Sequence, residues 1–186
     1  MTRLFLPVLA GTTRSQRLSI HAARLVAEIG ETFEDIDTGL VDPMDFDLPG
    51  DGNGPGSQDP RFSEIARRAD GFFIVTPEYN HSLPGSLKRM LDSEYANYAH
   101  KPVAFAGVSS GPWGGVRAIE ALVLTTRQMG LIPSRKDVQF PKVRELFDEN
   151  GVLQDDRYRT RIASAWTELI WLARVLKAGR DQEPVA

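Results

Sequence analysis

Gly71-Phe72-Phe73-Ile74-Val75-Thr76-Pro77-Glu78-Tyr79-Asn80-His81-Ser82-Leu83-Pro84-Gly85-Ser86-Leu87-Lys88 is the stretch that decides the fold. Its first five residues are aromatic or β-branched apart from the glycine. With no polar alternation, they predict a strand covered on both faces, as in a parallel sheet. Whatever follows such a strand lies at its C-terminal end, which in open α/β sheets is the usual ligand crevice. One reading of residues 76–88 is a proline-stiffened connection, with Pro77 ending the strand, Ser82 capping a helix and Pro84 in its first turn. The loop nevertheless carries more than a turn needs. Tyr79 offers a flat ring, Asn80 an amide donor and acceptor, and the proline-restricted peptides are held in fixed directions. That set suits a planar heterocycle with hydrogen-bonding edges.

Upstream, residues 3 to 10 read as a first strand. Gly11-Thr12-Thr13-Arg14-Ser15-Gln16-Arg17 then breaks into a helix over 18–29, with Ala22, Leu25, Val26 and Ile29 inward and Gly30 as its stop. Thr32 to Asp37 is a shorter, more polar strand of the kind found at an edge. Residues 48–60 hold four glycines and three prolines in thirteen positions and predict a mobile loop. A short helix over 61–69 leads into the central strand.

Downstream, a helix follows the key loop with Leu87, Met90, Leu91, Tyr95 and Tyr98 on one stripe. Pro102 to Val108 is another buried strand, running into Ser109-Ser110-Gly111-Pro112-Trp113-Gly114-Gly115. A helix over 116–129 (Val116, Ile119, Leu122, Val123, Met129) precedes a last strand within 132–139. Asn150-Gly151 signals a turn. The closing helix, 155–177, buries Ile162, Trp166, Leu169, Ile170 and Ala173. Residues 1–178 thus read as one domain and 179–186 as a frayed tail.

Five strands alternating with five helices make a three-layer α/β domain on a five-stranded parallel sheet, for which 2-1-3-4-5 is the common strand order. The loops after strands one, three and four then open on one edge and form one site.

Composition narrows the function. The 186 residues are 41% hydrophobic and 25% charged, enough for one substantial core. The net charge of −3 and a sequence pI of about 5.7 argue against a nucleic-acid surface. The absence of cysteine excludes disulfides, thiolate metal sites and thiol nucleophiles, and fits a reducing, cytoplasmic setting. The N-terminal apolar run is too short for a signal sequence, and no run of about 18 apolar residues predicts a membrane span.

The first loop sets Thr12, Thr13, Arg14, Ser15, Arg17 and Ser19 at a helix mouth. Free N–H groups, the positive end of the helix dipole and two guanidiniums make a phosphate site, although a helix cap with solvated arginines reads the same residues. The loop is neither a Walker loop nor G-x-G-x-x-G, so nucleotide hydrolysis and a Rossmann dinucleotide site lose support. In the loop after strand four, glycines let a ring approach the backbone. Gly-Pro-x-Gly-Gly also serves as a plain turn, and Trp113 also suits packing under a helix or a second subunit. His21, His81 and His100 are scattered without metal-ligand spacing, so no metal site is expected. No G-x-S-x-G elbow supports serine catalysis.

With these loops in view, the chain resembles the NADPH-dependent FMN reductase family of flavodoxin-like proteins, which includes azo, quinone and chromate reductases. The resemblance rests on Pro77-Glu78-Tyr79-Asn80 followed by Ser82, Pro84-Gly85, Leu87-Lys88 and Leu91-Asp92. Gly11-Thr12-Thr13-Arg14 and Gly114-Gly115-x-Arg117-Ala118 support it. The family usually has Ser at position 12, where Thr keeps the hydroxyl, and often Trp where this chain has Ser93.

The resemblance implies that Thr12, Arg14, Arg17, Leu18 and Ser19 hold the FMN phosphate. Pro77, Glu78, Tyr79 and Asn80 would line the isoalloxazine, and Ser109, Ser110 and Gly111 would border its other side. Tyr79, Asn80 and His81 are expected to shape the face that meets substrate. The family also implies a homodimer or homotetramer with flavin near the subunit interface. No protein nucleophile is then needed, because the cofactor carries the redox chemistry. The expected cycle is ping-pong, from NAD(P)H through FMN to a small-molecule electron acceptor such as a quinone, azo compound, chromate or free flavin. A flavodoxin-type electron carrier and a non-enzymatic flavin- or nucleotide-binding module are the alternatives.

Overall fold

Proline and glycine break the strands into short pieces without breaking the sheet. In the computed structural model, which describes residues 3–54 and 56–183, the chain opens with β1 (Leu4–Phe5) and β2 (Val8–Ala10), separated at Pro7. Pro7 has no N–H to donate, but its carbonyl accepts from Phe73 at 3.0 Å, so the track continues. After α1 (Ser19–Glu31), β3 (Ile36–Asp37) and β4 (Leu40–Val41) form the matching outer track. The bonds Leu4 N to Asp35 O, Leu6 N to Asp37 O and Val8 N to Gly39 O run unbroken between the two.

There follow α2 (Pro60–Arg68), β5 (Phe72–Pro77), α3 (Gly85–Asp92), β6 (Pro102–Val108) and α4 (Val116–Gln128). The last track is β7 (Ile132–Pro133) and β8 (Val138–Phe140), both paired with β6. Two extra residues enter this track between the pairs Val103–Pro133 and Ala106–Val138, which is why one expected strand appears as two. A short α5 (Val143–Leu146) and a long α6 (Arg157–Gln182) complete the chain.

Every strand pair is parallel, and the eight segments fall into five tracks in the expected order 2-1-3-4-5. The fold is flavodoxin-like. Strand periodicity explains the unbroken apolar run at its centre. Phe73 and Val75 enter a core with α1 and α6, while Phe72 and Ile74 enter the opposite core with α2, α3 and α4. Among the described residues no helix is long and apolar enough to cross a membrane.

Four expectations change. Gly30 lies inside α1, and a Cβ there would come within 2.6 Å of the Trp166 ring; the glycine makes room for that indole, whose Nε1 donates to Val26 O at 2.9 Å. α3 stops at Asp92, so Tyr95 is exposed, while Tyr98 reaches the core from a separate 3₁₀ turn.

The Gly/Pro loop is tied down. The Arg89 guanidinium donates to the carbonyls of Leu48, Pro49, Gly52 and Ser57. Asp59 caps α2 and also accepts from Asp47 N, and Arg61 beside it holds its carboxyl well below the usual carboxylate range. The closing helix runs on to Gln182, because Arg180 donates to His100 O and fixes the last turns where a tail was expected. Residues 184–186 of that tail lie outside the described residues.

Candidate functional site

The register sets three strand ends flush. Ala10 pairs with Val75 and Val75 with Ala106, so the loops after β2, β5 and β6 leave the sheet side by side. Gly11 makes the first turn possible, since a Cβ there would sit 2.7 Å from Thr76 Cα and 2.8 Å from Val75 O.

Arg14, Gln16, Arg17, Leu18 and Ser19 from the first loop line one side of an open cleft enclosing about 190 Å³. Pro77, Glu78 and Tyr79 form the next side, and Val108, Ser109 and Ser110 a third. The phosphate-type mouth and the aromatic loop therefore share one cavity.

The mouth is polar and partly unsatisfied. No side chain caps the N-terminus of α1, and its first turn carries no acid. Arg17 pairs with Asp42, whose other oxygen accepts from Met44 N at 3.0 Å. That carboxylate thus fixes the guanidinium through one nitrogen and leaves its Nη1 buried without a partner. A buried donor without a partner wants an acceptor, and an anion at the adjoining helix mouth would supply one. Arg14 is exposed and forms no ion pair among the described residues.

The ring side mixes Pro77, Tyr79 and Val108 with Glu78, Ser109 and Ser110, and its backbone groups are mostly self-satisfied. Glu78 N donates to Val108 O at 3.1 Å, Tyr79 N to Ser82 O at 2.9 Å, and Ser109 N to Phe140 O at 3.0 Å. The Ser109 hydroxyl donates to Gly111 O and accepts from Gly114 N, at 2.8 and 2.9 Å. These groups have no hydrogen bond to spare, so a flat ligand here would be held by stacking and van der Waals contact.

Several expected site residues stand elsewhere. Thr12 is only 2% exposed and does not line the cleft. Its Oγ1 lies 3.0 Å from the Tyr79 hydroxyl and accepts from Arg14 N at 3.2 Å, so it joins the two loops from beneath. Asn80 and His81 are exposed at the tip of a tight hairpin closed by reciprocal bonds between Tyr79 and Ser82. Both adopt left-handed φ, of 50° and 66°, as a two-residue hairpin of this type requires, and neither lines the cavity. Gly111 also lies outside the lining, its carbonyl taken by Ser109 and by Lys142 N.

The other glycines of that loop serve the protein. A Cβ on Gly107 would fall 2.5 Å from Gly114 O, and one on Gly115 2.5 Å from Val108 N. They let the start of α4 lie on the end of β6. Glu78, nearly buried, lines the cleft yet spends its carboxylate on Arg117, accepting from its backbone N at 3.3 Å and from its guanidinium. Arg117 in turn covers the Trp113 ring at 5.6 Å.

Val143 and Arg144 line the cleft although the sequence did not single them out. The signal was available: the loop after the fifth strand opens on the same edge as the other three. Arg144 adds a further exposed guanidinium with no ion pair among the described residues.

A doubly wound parallel sheet with a basic, uncapped helix mouth and an aromatic loop in one crevice defines a flavodoxin-like mononucleotide-binding protein. The family model of NADPH-dependent FMN reductases matches residues 6–145, and the chain belongs to that family. It is 34% identical over 121 residues to an NAD(P)H-dependent FMN reductase of Pseudomonas aeruginosa, a match spanning 62% of this chain and 65% of that protein. It is 30% identical over 161 residues to a quinone reductase of Pseudomonas putida, covering 80% and 83%. In fold it is similar to the flavoenzyme NAD(P)H:acceptor oxidoreductase FerB of Paracoccus denitrificans, with a TM-score of 0.73 at 20% identity over 94% of this chain and 98% of that one.

Proposed function

We propose that the chain binds FMN in this cleft and uses it to reduce a small electrophilic acceptor at the expense of NAD(P)H. The phosphate is held at the mouth of α1 by Arg17 Nη1, Arg14, Ser19 and the free N–H groups of the first turn. Pro77 to Tyr79 and Ser109 to Ser110 would hold the isoalloxazine between them. The observation that carries this reading is a single cleft lined both by Arg14, Arg17 and Ser19 at an uncapped helix mouth and by Pro77, Tyr79 and Val108, with Arg17 Nη1 left without a hydrogen-bond partner.

When bound, FMN would supply the two-electron redox chemistry that links the nicotinamide to the acceptor. The protein's part is orientation and exclusion of water. Asp42 fixes Arg17, Thr12 and Tyr79 lock the phosphate loop to the ring loop, and the Glu78–Arg117 pair anchors the ring loop to α4. Donor and acceptor would use the same open face of the cleft in turn, in ping-pong order. Ligand sites commonly enclose roughly 300–1,000 Å³, more than the 190 Å³ one copy provides. A second copy in a homodimer or homotetramer completes the wall near the exposed Trp113.

The test is the visible spectrum of the purified protein after FMN loading and anaerobic addition of NADPH. Bleaching of the flavin band, restored by a quinone, is the expected result. A band that NADPH leaves intact over a range of acceptors would falsify the reductase reading and leave an electron carrier or a binding module.

A further inference from the structure

The flavin cleft does not end at the phosphate mouth. A second groove shares Arg14, Gln16, Arg17 and Leu18 with it and continues along the outer face of α1 past Ile20, His21 and Arg24 to Met44. Leu18, Ile20 and Met44 give it an apolar floor, with Met44 59% exposed. Arg14 and Arg24 stand at its rim, both exposed and without an ion pair among the described residues, and no carboxylate lines it. With Arg14 turned to the flavin phosphate, Arg24 is the guanidinium left free at the rim, and an apolar slot beside it matches a ligand with an uncharged ring and an adjoining phosphate.

We propose that this groove is a subsite for an adenosine phosphate, with Arg24 as its specificity-determining residue. The inference rests on the reading of the first cleft as a flavin site, because the shared Arg14–Leu18 wall places the second ligand directly beyond the flavin phosphate. Two molecules carry such a group within reach: the phosphoadenosine end of NADPH, and the adenylate half of FAD.

The experiment titrates FMN-loaded protein with adenosine 2′,5′-bisphosphate by calorimetry, and flavin-free protein with FMN and FAD by fluorescence quenching. Arg24→Gln and Met44→Asp follow the parent; both positions are exposed and outside the FMN cleft. Saturable binding of the bisphosphate is expected, weakened about tenfold by Arg24→Gln through loss of a charge-assisted bond, with FMN affinity unchanged. If the group belongs to NADPH, Arg24→Gln raises KM for NADPH and leaves that for NADH. If it belongs to FAD, the parent binds FAD about tenfold tighter than FMN and the variant removes only that surplus.

No heat from the bisphosphate, equal affinity for FMN and FAD, and variants indistinguishable from a parent that still binds FMN would overturn the subsite while leaving the flavin site standing. A protein that binds the bisphosphate but not FMN would keep the groove and overturn the flavin reading.

Discussion

The two ends of the sheet use cations in opposite ways. At the N-terminal end charge is closed on itself. Asp70, nearly buried, accepts from Phe5 N at 3.0 Å and from Lys177 at 2.5 Å, with Arg180 at 3.8 Å. Lys101 reaches the carbonyls of Ala66 and Arg67 at 2.8 and 3.2 Å, closing the end of α2. At the C-terminal end, Arg17 keeps a buried nitrogen without a partner, Arg14 and Arg144 form no pairs among the described residues, and α1 is uncapped. The same residue types stabilise the chain where they are satisfied and bind a ligand where they are not.

Removing the hub of the closed end should have the largest effect. Asp70→Ala strands Lys177, takes the 3.8 Å partner from an Arg180 that keeps His100 O, and leaves Phe5 N without its acceptor. We expect a stability loss of about 3 kcal/mol, reduced from the fully buried case because Lys177 is part-exposed, with FMN affinity unchanged. Urea unfolding beside flavin titration measures both, and a variant that unfolds like the parent would break the contrast.

At the open end the effect should fall on binding. Arg17→Ala should weaken FMN by about 1.5–3 kcal/mol, or roughly 10- to 150-fold, with a smaller change in melting temperature. Riboflavin, which lacks the phosphate, should bind the parent and this variant alike. Equal binding of riboflavin and FMN by the parent would remove the phosphate from the open end.

Asp137, beside the extra residues of the outer track, sharpens the contrast with a carboxylate that forms no ion pair among the described residues. Burial, then Glu120 and Glu168, raises its pKa from 3.8 to about 6. The folded state therefore holds this proton more tightly than the unfolded chain. Stability is lost as pH rises from about 4 through 6, and the penalty is complete above that. Asp137→Asn should stabilise by about 1 kcal/mol at pH 7.5 after solvent screening, and the gain should vanish near pH 4. Denaturation curves that shift equally at both pH values would contradict it.

The smallest change concerns the hairpin tip. Asn80→Gly relieves a left-handed residue and should stabilise by up to about 1 kcal/mol, without altering flavin affinity. A weakened flavin complex would return Asn80 to the cleft.

The fold was legible because strands covered on both faces leave unbroken apolar runs, as at 71–75 and 102–108, and because α1 and α6 carry their buried residues at helical spacing. The break of the last track into two was not, since an insertion that shifts register leaves no mark on periodicity. The candidate site was legible as a set of loops that share one cleft, but less so residue by residue. Thr12, Asn80 and Gly111 have suitable chemistry for a ligand, yet a hydrogen bond to Tyr79, a hairpin closed at Ser82 and a bond from Lys142 N direct them elsewhere. Those partners lie up to dozens of residues away in sequence. Arg144 was missed for the converse reason, that nothing in its own neighbourhood marks it and only topology brings it to the edge.

The grip of Arg89 on the 48–57 segment has a consequence for how the chain can vary. A clasp made on four main-chain oxygens reads no side chains, so the composition of that stretch is free to drift so long as its path is kept. The demand falls on the clasp itself: five planar donors in a fixed fork reach oxygens that a lysine ammonium, with three on one point, cannot span together.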